Sequence, residues 1–126
     1  DVCEKSEEFL RKAIEIEKSN VAYYECAADN AQSEVAKALF KRIGKHEGEH
    51  MELLCETLGI EEPEIEPEDC SGDDHEHMAN GKEREDRAVK MYMRFAEEAP
   101  EPRIKQIFSA IAGIEQVHYT LFNHYG

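Results

Sequence analysis

The sequence predicts an all-α protein: an antiparallel four-helix bundle made of two repeated helical hairpins joined by a long crossover. Three observations carry that expectation. Apolar residues recur near a 3.6-residue period in four long segments. Two short breaks and one long acidic link separate those segments, and the second half of the chain repeats the first at a fixed offset.

The first helix runs from about Glu4 to Ala31, with Phe9, Ala13, Ile14, Ile16, Val21, Tyr24 and Ala28 as its apolar set. Short polar residues from Asp29 to Ser33 break it, and Ser33 is a suitable N-cap for the next helix. That helix carries Val35, Ala36, Leu39, Phe40, Ile43, Met51, Leu54 and Leu58, and Gly59 supplies its stop. From Ile60 to Gly72 the chain holds Pro63, Pro67 and six acidic residues without a periodic face, so an exposed crossover is expected there. A helix restarts near Asp73 or Asp74 and carries Ala88, Val89, Met91, Tyr92, Phe95 and Ala99 until Pro100 and Pro102. The last takes Ile104, Ile107, Phe108, Ile111, Ile114, Leu121 and Phe122 to the C-terminus. The hairpins thus span about 4–58 and 74–125, in one domain over residues 1–126.

An offset of 68 residues brings twelve identities into line without a gap. The pairs are Glu15 and Glu83, Glu17 and Glu85, Val21 and Val89, Tyr24 and Tyr92, Ala28 and Ala96, Ala31 and Ala99. They continue with Lys37 and Lys105, Phe40 and Phe108, Ile43 and Ile111, Glu47 and Glu115, His50 and His118, Leu53 and Leu121. Two copies of one hairpin about a pseudo-twofold axis is the natural reading.

Composition narrows the function. In 126 residues, 15 Lys and Arg face 29 Asp and Glu, a net charge of −14. Such a surface repels phosphate backbones and anionic headgroups, so no nucleic-acid and no membrane role is expected. No apolar run is long enough to span a bilayer. A hydrophobic fraction of 40% suffices for a core. Cys3, Cys26, Cys55 and Cys70 form no C-x-x-C pair, which excludes the usual zinc or rubredoxin-type knuckle within this sequence. Spread this widely they read as reduced thiols of a cytoplasmic protein, with a Cys3–Cys70 pair as a minor alternative. The chain opens on Asp1, as a trimmed or processed product would.

The repeat carries one polar constellation twice: Glu17, Tyr24, Glu47 and His50, then Glu85, Tyr92, Glu115 and His118. A spacing of three puts each Glu-x-x-His on one helix face, so both side chains can bind one metal. The midpoint of residues 17 and 47 falls in the first turn, and that of 85 and 115 at Pro100. Each glutamate therefore stands opposite its hairpin partner, about 22 Å from the turn at 1.5 Å per residue. If the hairpins pack face to face, four carboxylates and two imidazoles meet in mid-bundle, the ligand arrangement of ferritin-like di-iron carboxylate bundles. Four such carboxylates cannot all stay ionised without cations; two divalent ions set +4 against −4. Carboxylate and imidazole suit iron or manganese and do not specially favour zinc or copper.

On these stretches (Ile16-Glu17 leading to Tyr23-Tyr24, Met91-Tyr92 leading to Phe95-Ala96, and both Glu-x-x-His motifs) the sequence resembles the rubrerythrin branch of the ferritin-like superfamily. The resemblance implies Glu47 and Glu115 as bridging carboxylates, Glu17 and Glu85 as terminal ones, and His50 and His118 each completing one iron. It implies that Tyr24 and Tyr92 hydrogen-bond carboxylates of the opposite half. Two departures stand out: the sequence has no cysteine pair for a rubredoxin domain, and no extra exchangeable Glu one turn from Glu85. The residues there are Gly81, Lys82, Ala88 and Val89, so Glu83 or Asp86 could serve only if the helix were irregular.

The expected activity is reduction of hydrogen peroxide, or reaction with dioxygen, at two irons, with manganese or a mixed pair as alternative metals. An external electron donor, rubredoxin-like or other, is expected, and a homodimer as the assembly. The alternatives are a ferroxidase that handles iron and a bundle whose metals are purely structural. His46 reads as a surface imidazole, Asp73 to His77 as a solvated helix start, and His124 as unpartnered.

Overall fold

Helix ends form where the sequence supplies them. In the computed structural model, which describes residues 2–126, four helices follow in order: α1 (Glu4–Asp29), α2 (Glu34–Leu58), α3 (Asp74–Glu98) and α4 (Pro102–Tyr125). The Ser33 side chain accepts from the Ala36 backbone N–H at 3.1 Å, capping α2. Gly59 ends α2 in the left-handed conformation, φ 80°, which favours a residue without Cβ. Asp73 caps α3 by accepting from the Glu76 N–H at 2.9 Å, and Pro102 opens α4 where its missing N–H costs nothing. No strand occurs among the described residues, and the fold is an all-α four-helix bundle.

The hairpins α1–α2 and α3–α4 pack against one another around two apolar lobes. One lobe is built on Phe9, Leu54, Tyr92, Phe95, Phe108 and Ile111, with the Phe9 and Phe95 rings stacked at 4.3 Å. The other gathers Tyr23, Tyr24, Phe40, Ile43, Met78 and Phe122. Three expected core residues, Ile16, Val35 and Ile114, are exposed instead; Val35 lies in the first turn of α2, beyond the packed part of the hairpin. Ile16 and Ile114 each immediately precede an inward glutamate, and about 100° of helical rotation carries them off the buried face.

The crossover is mostly exposed but not loose. Ile65 packs on the first lobe, and Glu68 pairs with Arg84 at 3.3 Å. The Asp74 carboxylate accepts from the backbone N–H groups of Gln32 and Ser33, both at 2.9 Å, tying the start of α3 to the α1–α2 turn. At the other end, Glu101 accepts from the Cys3 backbone N–H at 2.8 Å and from the Ser6 hydroxyl.

The cysteines depart from expectation. Cys26 of α1 and Cys70 of the crossover form a disulfide, while Cys3 is free and exposed and Cys55 free and buried. The ground on which these cysteines pointed to a reducing compartment is therefore gone. A bridge across 44 residues restricts the unfolded chain by about 4 kcal/mol in the chain-entropy account. Reduction, or replacement of both Cys26 and Cys70 by Ser, should lower unfolding stability by up to that amount and leave helical circular dichroism unchanged at room temperature. Equal denaturant midpoints for oxidised and reduced protein would show that the bridge does not constrain the chain.

Candidate metal centre

Between the apolar lobes lies a polar layer contributed by all four helices. Glu17 comes from α1, Glu47 and His50 from α2, Glu85 from α3, and Glu115 and His118 from α4. All four carboxylates have 0% exposure, and His50 and His118 have 6% and 1%. The structure brings all six residues together in two overlapping groups: Glu17, Glu47, His50 and Glu115, and Glu47, Glu85, Glu115 and His118. Within each group one ligand atom per residue lies within 4.8 Å of the others, and Glu47 and Glu115 belong to both.

The local geometry repeats in the two halves. Nδ1 of His50 lies 3.1 Å from Glu47, 3.2 Å from Glu17 and 3.7 Å from Glu115. Nδ1 of His118 lies 3.1 Å from Glu115, 3.5 Å from Glu85 and 3.8 Å from Glu47. The tyrosines cross between hairpins: Tyr24 donates to Glu85 and Tyr92 to Glu17, each at 2.7 Å. Each phenol thereby leaves one oxygen of its carboxylate free for another partner.

Electrostatics strain this layer. Burial, then the neighbouring carboxylates, pushes Glu47 well above its ordinary value. Burial raises Glu17 despite its hydrogen bonds from His50 and Tyr92. Burial lifts Glu115 from 4.5 to about 7, although His118 opposes it. Burial alone would lower His118, but the adjoining Glu115 and Glu85 outweigh it and raise the ring to about 9. His50 rises for the same reason, chiefly through Glu17. Burial, and then the carboxylate of Glu85 or Glu17, also holds Tyr24 and Tyr92 well above the usual phenol range, so both remain hydrogen-bond donors.

The unpartnered polar atoms test which group the residues fit. Both oxygens of Glu47 and of Glu115, one each of Glu17 and Glu85, and Nδ1 of His118 are buried without a hydrogen-bond partner. Such groups are costly in a core unless cations satisfy them. A cluster of lone-pair donors with no buried Lys or Arg fits divalent metals in charge and in donor type.

The other residues that the sequence singles out fall elsewhere. Glu83 pairs with Arg87 at 2.7 Å and Asp86 with Lys90 at 2.9 Å on the outer surface, along an uninterrupted α3. A Cβ at Gly81 would meet the Phe122 ring at 2.8 Å, so position 81 has no space for a carboxylate, and Lys82 occupies the other position one turn before Glu85. His75 and His124 are exposed. His77, expected in solvent, is fully buried among aromatic rings, with Tyr23 at 6.1 Å and Phe40 at 6.2 Å. The repeat could have revealed this, because the offset places His77 on Phe9, a core aromatic. His46, expected at the surface, is half-buried, and its Nδ1 stands 2.9 Å from Nε2 of His118. Burial and the facing His118 ring hold it below the ordinary imidazole value.

A family model described as Rubrerythrin matches residues 8–125. The structure resembles a hypothetical protein from Pyrococcus furiosus, with a TM-score of 0.82 and 21% identity, covering 95% of this chain and 87% of that one. It resembles a conserved hypothetical protein from Mycobacterium tuberculosis with a TM-score of 0.85 and 12% identity, covering 100% of both chains. At these identities the likeness shows the fold. No curated protein matches the chain.

The raised values set a pH dependence for the metal-free protein. Folded Glu115 and His118 hold protons more tightly than their ordinary values of 4.5 and 6.5. The stability from the Glu115 proton is complete below about pH 4.5 and lost as pH rises through about 7. That from His118 is complete below about 6.5 and lost through about 9. The metal-free melting temperature should therefore fall from about pH 5 to about pH 9, and a divalent cation should restore most at the upper end. A metal-free melting temperature that rises across this window would contradict the assignment.

Proposed function

The chain belongs to the rubrerythrin family, and on that premise we propose that its buried cluster is a di-iron centre that reduces hydrogen peroxide to water. The observation that carries this reading is the pair of overlapping ligand groups sharing Glu47 and Glu115. Glu17 and His50 would complete one metal position, Glu85 and His118 the other, and the two shared carboxylates would bridge. When bound, two ferrous ions supply the two electrons that, with two protons, convert one hydrogen peroxide into two water molecules.

The chain's own groups prepare that chemistry. Tyr92 and Tyr24 hold Glu17 and Glu85 by one oxygen each, which limits how far those carboxylates can swing. The apolar lobes on either side keep bulk water from the four carboxylates, so these carboxylates would neutralise the charge on bound divalent ions. His50, at 6% exposure, is the most exposed of the six and lies at the edge nearest solvent. Resetting the site requires two electrons from a donor outside the four-helix bundle, whose helices hold no C-x-x-C pair for a rubredoxin-type iron.

One observation favours a second reading, a ferroxidase that passes iron onward. Of the positions one turn from Glu85, Gly81 is closed by Phe122 and the others are Lys82, Ala88 and Val89, so the exchangeable carboxylate of many rubrerythrins has no counterpart on this helix. The fate of the metal separates the two: a peroxidase keeps two irons per chain through repeated cycles, and a ferroxidase releases them.

Glu115→Gln tests the site itself, because it preserves size and removes one shared negative charge. Helical circular dichroism should survive, since the apolar lobes are untouched. Iron content should fall toward one per chain, and peroxide-driven Fe(II) oxidation should drop steeply, because the two-electron step draws on both metals. Oxidation at the wild-type rate would exclude Glu115 as a bridge and leave the structural-metal reading.

A further inference from the structure

His46 stands beside the centre without belonging to either ligand group. Its Nδ1 lies 2.9 Å from Nε2 of His118, with the two rings nearly parallel at 8°. The other nitrogen of His118 faces Glu115, Glu85 and Glu47 at 3.1, 3.5 and 3.8 Å. A nitrogen that binds a metal carries no proton, so ligation through Nδ1 places the ring proton of His118 on Nε2. That N–H then donates to Nδ1 of His46, whose own proton resides on its Nε2.

We propose that His46 is a positioning residue: by accepting this hydrogen bond it fixes the tautomer and ring orientation of His118, making the Glu85/His118 position the tighter of two metal positions. The inference rests on the di-metal reading of the site. Its second support is the broken repeat. The offset that equates His50 with His118 equates His46 with Ile114, an exposed aliphatic residue that cannot accept a hydrogen bond. The polar contacts of His50 to described residues all lie at Nδ1. Two like ligand sets are therefore held unlike: one imidazole is backed by an acceptor and the other is not. Loss of such an outer partner typically weakens metal affinity by about 10–100-fold.

The test is a Co(II) titration of metal-free protein, followed by visible absorption and by equilibrium dialysis, with circular dichroism as the check on folding. Wild type should bind two ions per chain in two unequal steps. His46→Leu should weaken the tighter step by about tenfold or more and leave the other in place. His46→Asn, whose amide oxygen falls near the Nδ1 position, should keep the tighter step within a few-fold. Ile114→His should strengthen the weaker step by giving His50 the acceptor it lacks. Two wild-type steps that His46→Leu leaves unchanged would overturn the inference and spare the di-metal reading. Equal weakening by Leu and Asn in folded protein would overturn the acceptor role. Three ions in wild type and two in His46→Leu would make His46 a ligand instead, which also overturns it. Failure of wild type to bind a second ion would overturn the di-metal reading on which the inference stands.

Discussion

Four carboxylates with no solvent exposure, shared between two helical hairpins, set the terms for the rest of this molecule. An ionised carboxylate carried into a protein interior costs several kcal/mol even after relaxation. A domain of this size is stable by only about 5–15 kcal/mol in total. Four uncompensated charges would exceed that margin, and two phenols and two imidazoles offset them in part. The remaining imbalance is visible as raised proton affinity at Glu17, Glu47 and Glu115 and as carboxylate oxygens without partners. Cations or protons must therefore enter, and which of them does depends on pH and metal supply.

Because the polar layer contributes strain, the apolar lobes on either side must hold the helices in register without it. The Phe9–Phe95 stack and the Tyr24, Phe40 and Phe122 group serve this purpose. Register matters here to better than one residue, since one residue of slip moves a side chain 1.5 Å along the helix and about 100° around it. The two tyrosine–carboxylate bonds at 2.7 Å would not survive such a slip. The caps at Ser33, Gly59 and Asp73, and the Asp74 clasp on the first turn, keep each helix from starting or ending out of phase.

The helices and the six centre residues were legible because both depend on local period. An apolar stripe and a Glu-x-x-His on one face follow from 3.6 residues per turn, and the repeat shows which faces meet. What was not legible depends on where separate segments lie in space. Cys26 and Cys70 meet only because the crossover doubles back along α1, and its irregular path leaves no periodic trace. On α2 alone His46 falls on a different face from Glu47, a placement that points to the surface; its partner lies on α4. The acidic neighbours of His77 suggest solvent, whereas the offset that equates it with Phe9 points to the core.

The departures from twofold symmetry have a physical source. A single chain with two hairpins has one crossover, and that segment can cover one flank only. It docks Glu68 on Arg84 and joins Cys70 to Cys26, and Arg84 stacks over Tyr23 and donates to the side-chain amide oxygen Oδ1 of Asn20 on α1. On the opposite flank the offset places Ile16 at the position of Arg84 and Met91 at that of Tyr23, and Ile16 is exposed. The glutamates, histidines and tyrosines of the centre match across the halves because each performs the same task twice. The residues around them need not match, because their surroundings are not twofold. Equal ligand sets in unequal surroundings do not have equal metal affinity, since the groups behind the ligands set their orientation and basicity. The inequality of the two positions thus originates in the connectivity of the chain, and His46 beside His118 places a second difference on the α2–α4 side.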